Sequence, residues 1–277
     1  MPPKKTSKIR PFLKWAGGKY SIVDKIKKHL PEGKTLIEPF VGAGAVFLNT
    51  DYEKYILNDI NQDLINLYNA IQYDVDSYVT DAKKFFSEKN NEDKRYYALR
   101  DKFNSSVDIY ERSLIFLYLN RFGYNGLCRY NQSGGFNVPF GKYKKPIFPQ
   151  EKIEYFAEKS QKAKFVCEDF KKVFSRARKS HVIYSDPPYA PLSDAAYFSA
   201  YSTADFSLDD QERLANAARA IATKGIPIVI SNHDTKYTRN IYKGARIVSL
   251  DVRRNISCKS NQRVKAKEII AIFKGDA

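Results

Sequence analysis

Thr35-Leu-Ile-Glu-Pro-Phe-Val-Gly-Ala-Gly-Ala-Val46 is the stretch that decides the fold. Residues 35–40 form a short apolar run bounded by turn and charged residues, which reads as a strand. Gly42 and Gly44 follow at once. Lacking Cβ atoms, they allow a tight turn into a short helix and a close approach of backbone to a ligand. The turn is not a full Gly-x-Gly-x-x-Gly and no Gly-Lys-Ser/Thr follows, so dinucleotide and nucleoside-triphosphate readings are weak. Taken alone, it suits an ordinary strand-to-helix turn equally well.

Further strands are predicted at residues 55–57, 164–167, 182–185, 227–231, 246–252 and 268–273. Helical periodicity separates many of them. The clearest helix runs over residues 208–223, with Ser207 as N-cap, Asp210 three residues on, and Gly225 at its end. Alternating strands and helices predict a doubly wound α/β sheet. From about residue 62 to 121 the pattern is helical only. Residues 120–150 are glycine-rich and aromatic, with five Lys/Arg and no acid before Gln150, and Gln132-Ser-Gly-Gly135 suits a hairpin tip. Residues 62–149 therefore read as an insertion between two halves of the sheet domain, 1–61 and 150–277.

Composition narrows the function. The 277 residues carry 47 Lys+Arg against 31 Asp+Glu, a formal net charge of +16. Such a surplus points to a polyanionic partner, or more plainly to solubility maintained by lysine. No apolar stretch approaches the length of a membrane span, and the basic start of the chain lacks the apolar core of a secretory signal. Three widely spaced cysteines and three histidines favour neither a disulfide framework nor a metal centre. A reducing, cytoplasmic compartment is expected.

Three constellations carry chemistry. Asp59 follows the second strand, placed either to accept hydrogen bonds from ribose hydroxyls or to cap the helix starting near Asn61. Asp186-Pro-Pro-Tyr189 ends the apolar strand at 182–185. Two prolines stiffen that loop and leave carbonyl acceptors free, while the tyrosine offers a stacking face. These features suit a receptor for a planar amine; the plainer alternative is a rigid turn with a capping Asp. Pro11-Phe-Leu-Lys-Trp-Ala-Gly-Gly-Lys19 holds the chain's only Trp in a polar turn, which favours ligand contact over core.

Phe12-Leu-Lys-Trp-Ala-Gly-Gly-Lys19, Glu38-Pro-Phe-Val-Gly-Ala-Gly44, Asn58-Asp-Ile-Asn61, Leu119-Asn-Arg-Phe-Gly-Tyr-Asn-Gly-Leu-Cys-Arg-Tyr130, Phe136-Asn-Val-Pro-Phe-Gly141, Asp186-Pro-Pro-Tyr189 and Ser231-Asn-His-Asp-Thr235 together resemble the Dam family of DNA adenine-N6 methyltransferases. The order is that family's, and the resemblance runs from about Pro11 to Phe273. It implies a Rossmann-like seven-stranded methyltransferase sheet with an inserted, mostly helical DNA-recognition domain ending in a β-hairpin. It implies S-adenosylmethionine as methyl donor, S-adenosylhomocysteine as product, and no metal. By matching motif, Trp15, Lys19, Phe40, Gly42, Gly44, Asp59 and Asp186 bind the cofactor. Asp186, Pro187 and Tyr189 receive the target adenine.

The resemblance further implies double-stranded DNA containing GATC as partner, with the adenine flipped out of the duplex. Tyr124 and Asn125 would fill the vacated stack, and Arg129 would read a guanine through O6 and N7. Leu127 and Pro139 would pack on thymine methyls, Lys14 would meet the outer guanine, and Lys142, Lys144 and Lys145 the phosphates. Relatives can carry Arg at position 142; Lys there loses a bidentate fork. The expected protein is a monomer in solution, nucleoid-associated, with no membrane. His233 is assigned a structural role after its strand. The basic run 253–267 suits a phosphate contact or a solvated turn equally. Two rival readings are an amino-methyltransferase acting on cytosine N4 or RNA adenine, and a catalytically silent DNA-binding module.

Overall fold

The computed structural model describes residues 8–192, 206–252 and 266–275. Most of the basic run 253–267, and Cys258 with it, lies outside the described residues. The strands are β1 (Thr35–Glu38), β2 (Lys54–Asn58), β3 (Ala163–Val166), β4 (His181–Ser185), β5 (Ile228–His233), β6 (Arg246–Val252) and β7 (Ala266–Phe273). The helices are α1 (Val23–Lys27), α2 (Gln62–Tyr73), α3 (Val75–Lys83), α4 (Asp93–Ser105), α5 (Ile109–Phe122), α6 (Gln150–Ser160), α7 (Phe170–Ser175), α8 (Leu208–Ala222) and α9 (Lys236–Ile241). The seven strands take the order β3-β2-β1-β4-β5-β7-β6, a Rossmann-like α/β sheet. The chain divides into two compact units: Met1–Val23, Val41–Asp51 and Asp59–Cys167 form one, and Asp24–Phe40, Tyr52–Asn58 and Glu168–Ala277 the other.

The second unit holds most of the sheet. β1 pairs in parallel with β2 and β4, and β4 with β5; β7 then runs antiparallel between β5 and β6. β1 and β5 are buried at every residue, as parallel strands covered on both faces must be. β1 stops at Glu38, short of the predicted residue 40, because Pro39 has no N–H to give the ladder. The strand order reverses between β1 and β4, so their carboxyl ends form the crevice where open α/β sheets bind ligands. The loops leaving that crevice are Pro39-Phe40 and Asp186-Pro-Pro-Tyr189. α8 begins with a full capping box: Asp210 N–H donates to the Ser207 hydroxyl, and Ser207 N–H donates to the Asp210 carboxylate. It buries Leu208, Leu214, Ala215, Ala218 and Ile221, one face of a 3.6-residue period.

The first unit is mostly helical. α5 is buried along nearly its whole length from Ser113 to Asn120, so it is the central helix of the unit rather than an amphipathic cover. Phe12, Tyr68, Phe156 and Phe165 pack into an aromatic core, with ring centroids 5.2 Å apart for Phe12–Phe156 and 4.6 Å for Tyr68–Phe156. Beyond α5 the chain makes a hairpin held by isolated pairs, Gly123 with Phe140 and Tyr130 with Phe136. Its tip closes where Asn131 accepts the Gly135 N–H on its side chain, which is the predicted turn shifted by one residue.

Candidate active site and nucleic-acid interface

In the first unit the glycine turn is tied to Asp59. Gly42 has φ +46° and donates its N–H to Asp59 Oδ2 at 3.0 Å. The Tyr68 hydroxyl donates to the Gly42 carbonyl at 2.5 Å. A Cβ on Gly42 would lie 2.8 Å from Trp15 Nε1, so the indole packs directly on the bare backbone. Asp59 Oδ1 accepts the Asn61 N–H at 3.0 Å. Burial raises the Asp59 pKa, and the N–H groups of Asn61 and Gly42 counter it. Asp59 is half-buried, and each carboxylate oxygen keeps a second lone pair after one backbone bond. Lys19 is only 6% exposed. A carboxylate open to hydroxyl donors, an indole face, a buried ammonium and a side-chain-free turn suit a nucleoside bearing an amino-acid tail. The expected cofactor residues of this unit therefore fit S-adenosylmethionine.

The same unit assembles the residues expected to meet DNA. Lys14 is clamped by Asn120, whose Oδ1 accepts the Lys14 N–H at 2.9 Å and whose Nδ2 donates to the Lys14 carbonyl at 2.7 Å. Lys14 Nζ donates to the Arg121 carbonyl and sits 3.8 Å from the Tyr143 ring centroid. Burial, then the Arg121 charge, lowers its pKa to about 8. Gly126 has φ +62°, and a Cβ there would come within 2.2 Å of Lys14 Cβ, so only glycine lets the loop settle on Lys14. Asn125 is left-handed, φ 53°, and its N–H donates to the Tyr143 hydroxyl at 2.8 Å. Tyr124, Asn125, Arg129, Pro139 and Lys142 are exposed and Leu127 is half-buried. Lys142 is also left-handed, φ 52°. Arg129 is pinned by Asn137, Nε to Oδ1 at 2.8 Å and Nη2 to the carbonyl at 3.1 Å. Three of its five N–H bonds remain, enough for a fork onto an acceptor pair.

In the second unit the Asp186-Pro-Pro-Tyr189 loop is held from several sides. Gln211 Nε2 donates to the Pro188 carbonyl at 2.7 Å. Asn232 Oδ1 accepts the Ala190 N–H at 3.0 Å, and its Nδ2 donates to Gln211 and to the Tyr242 hydroxyl. His233 Nδ1 lies 2.6 Å from the Ala190 carbonyl, and its ring meets Tyr189 edge-on at 4.7 Å. Tyr189 donates its hydroxyl to Glu268 Oε2 at 3.0 Å. Burial, then Asp186, pushes the Tyr189 pKa well up, so it stays a neutral ring. The backbone is thus fixed at Pro188 and Ala190, while the Pro187 carbonyl accepts no hydrogen bond from any described residue. Phe40, after β1, packs on Phe170 and Phe206 at 5.6 and 5.5 Å.

Asn120, Asn137, Tyr143, Gln211, Asn232 and Glu268 were not singled out from sequence. The available signal is membership of a motif: Asn120, Asn137 and Asn232 each lie inside one of the quoted motifs, and Tyr143, Gln211 and Glu268 in none. Among the described residues, no group of three or more His, Cys, Asp or Glu could hold a metal ion. No described helix is long and apolar enough to cross a membrane.

Residues 15–256 match the family described as D12 class N6 adenine-specific DNA methyltransferase. The chain is 54% identical over 267 residues to a DNA adenine methylase of Vibrio cholerae, covering 96% of each chain. It is 55% identical over 279 residues to one of Haemophilus influenzae, covering 98% of each, and 52% identical over 267 residues to one of Escherichia coli K12, covering 96% of each.

Proposed function

Because the chain belongs to the D12 class of N6 adenine-specific DNA methyltransferases, we propose that it methylates adenine within double-stranded GATC after flipping the base from the duplex. S-adenosylmethionine, when bound, supplies an electrophilic methyl group on a sulfonium. The chain's own residues do the rest. In this reading Trp15, Lys19, Phe40, Gly42, Gly44, Asp59 and Asp186 hold the cofactor, with Asp59 taking the ribose hydroxyls.

The adenine amine is a poor nucleophile because its lone pair is delocalised into the ring. Asp186 and the Pro187 carbonyl accept hydrogen bonds from its two N–H groups and hold that lone pair toward the methyl group; the methylated amine then sheds one proton to solvent. Positioning and charge placement supply much of the rate. Tyr189 stacks on the flipped base, at a flipping cost of a few kcal/mol. The single observation that carries this half is the loop itself, fixed at Pro188 and Ala190 with the Pro187 acceptor left over.

Residues 62–149, joined by Lys14, read the site, while the rest of 1–61 and 150–277 catalyse. Tyr124 and Asn125 enter the vacated stack, Arg129 forks onto guanine, Leu127 and Pro139 meet thymine methyls, and Lys14 meets the outer guanine. Lys142 contacts phosphate, which positions without specifying. Two placements support this assignment: Asn137 holds the Arg129 guanidinium with three N–H bonds left over, and the Arg121 carbonyl and the Tyr143 ring hold the Lys14 ammonium, whose backbone Asn120 fixes.

The test supplies tritiated S-adenosylmethionine with a GATC duplex and with the same duplex carrying its central A·T pair inverted. Label on N6-methyladenine from the first alone is expected. Label on both overturns the GATC reading and leaves the chemistry. Label on neither, with the cofactor bound, overturns double-stranded GATC as the substrate.

A further inference from the structure

The carboxyl ends of β1 and β4 carry the proposed site. The amino ends of the same sheet carry something else. Within the second unit, each strand is bordered at that end by one exposed cation. Lys54 opens β2 and Lys34 precedes β1; the Lys54 N–H donates to the Lys34 carbonyl at 3.1 Å. The Lys34 N–H donates to the Ser180 carbonyl at 2.9 Å, which sets Lys179 beside it at the start of β4. Lys224 precedes β5. Gly275 packs so closely on Gly225 that a Cβ would fall 2.4 Å from its carbonyl carbon, which brings Lys274, just past β7, to the same place. Arg246 opens β6, at the same end because β7 runs antiparallel to both neighbours.

None of these six cations forms an ion pair among the described residues. Glu32, Asp51, Glu53 and Asp276 are the acids within three residues of the six cations in sequence, too few to cancel the row. Of the row, Arg246 acts on a neighbouring histidine: after burial, it lowers the His29 pKa, with Lys28 adding to it. Six strands at about 4.8 Å spacing make a row about 24 Å long. Duplex DNA of that length presents roughly fourteen phosphate charges. The row stands about 15 Å, one strand length, from the Asp186 loop.

We propose that this row is a second DNA-binding surface, sequence-independent and at the opposite end of the strands from the Asp186 loop. It binds duplex through phosphates alone. None of the large exposed apolar side chains of the described residues lies in it, so it lacks the anchors of a protein interface. The surface goes beyond the GATC reading and does not depend on which base pairs are read.

The test uses the full chain and a variant joining Lys34→Gln, Lys54→Gln, Lys179→Gln and Arg246→Gln. Each protein is saturated with an unlabelled short GATC duplex and S-adenosylhomocysteine. A fluorescent duplex lacking GATC is then titrated in at low salt. The wild type is expected to capture it, and the variant to bind it at least about tenfold more weakly, with the log–log salt slope reduced by about 3.6 for four lost contacts. Lys→Arg at positions 34, 54 and 179 should bind as wild type. Methyl transfer to the short duplex should be unchanged in every variant. No capture by the wild type, or equal capture by the Gln variant, overturns the proposal. Displacement of the duplex by phosphatidylserine vesicles at lower phosphate concentration overturns it in favour of a lipid surface. Failure of the GATC reading shows separately, as label on the inverted duplex, and leaves this binding readout intact.

Discussion

Lys14 carries a charge that pH can remove. Its ammonium is charged below about pH 8 and neutral above, because burial and Arg121 disfavour the proton. The unfolded chain keeps that proton to higher pH, so this residue opposes folding below pH 8 and the opposition lifts as pH rises through the gap. Binding has the reverse sign, since guanine and phosphate both want the charged form. Affinity for a GATC duplex should fall as pH rises above 8, by at most about tenfold per pH unit from this one group. Lys14→Gln should bind more weakly at neutral pH but lose that pH dependence; parallel curves for the two proteins would remove Lys14 from the interface. At Asp186 the effect should fall on turnover. Asp186→Ala should abolish transfer and leave DNA binding largely intact, read by single-turnover kinetics beside a binding titration, and near-normal turnover would sink the assignment. Arg129→Ala should relax discrimination at one guanine by about 1–3 kcal/mol, measured as the kcat/KM ratio between GATC and a singly substituted duplex. The residues proposed for these roles stand in motifs that the sequence shows. What holds them was not, because Asn120 meets Lys14 across 106 residues and Tyr189 meets Glu268 across 79, and local patterns carry no trace of such pairs.

The strands and α8 were legible because each obeys a local rule. β6 matches its apolar run, and α8 starts at the cap that Ser207 and Asp210 announce. Departures also have local causes, as at β1, where Pro39 ends the ladder early. The hidden element is the end of β5. Asn232 looks like an ordinary polar residue in sequence, yet it is fully buried and organises the loop after β4. Asn232→Ala would strand the Ala190 N–H, the Gln211 side chain and the Tyr242 hydroxyl without this partner. A buried group left unsatisfied costs about 1–3 kcal/mol. Urea unfolding should therefore show a midpoint well below wild type. Turnover should fall more than affinity for S-adenosylmethionine, because the loop loses its backbone anchor. An unchanged midpoint would show that Asn232 is a bystander.

For the whole molecule, the charge of +16 is the first functional clue. Phosphate contacts are screened by salt, while base contacts are much less so. Rising salt should weaken GATC and GATC-free duplexes together, so that affinity falls steeply while their ratio changes far less. A ratio that collapses with affinity would mean that charge, not base reading, carries the selectivity. The proposed division of labour does not follow the compact units: the cofactor turn, Val41–Asp51, shares a unit with the reading loop. Sequence order carries no record of which distant segments pack into one unit. The strand order has a further consequence, for synthesis. β5 receives its partner β7 only after about 33 more residues have been made, roughly 2–7 s of translation. Once β5 has left the ribosome, and until β7 follows it, the chain exposes one edge of Ile228-Val-Ile-Ser231 with no native neighbour. An apolar open edge invites pairing with another chain. The growing chain is thus at risk of aggregation after the Asp186-Pro-Pro-Tyr189 loop has been made and before β7 completes its side of the sheet.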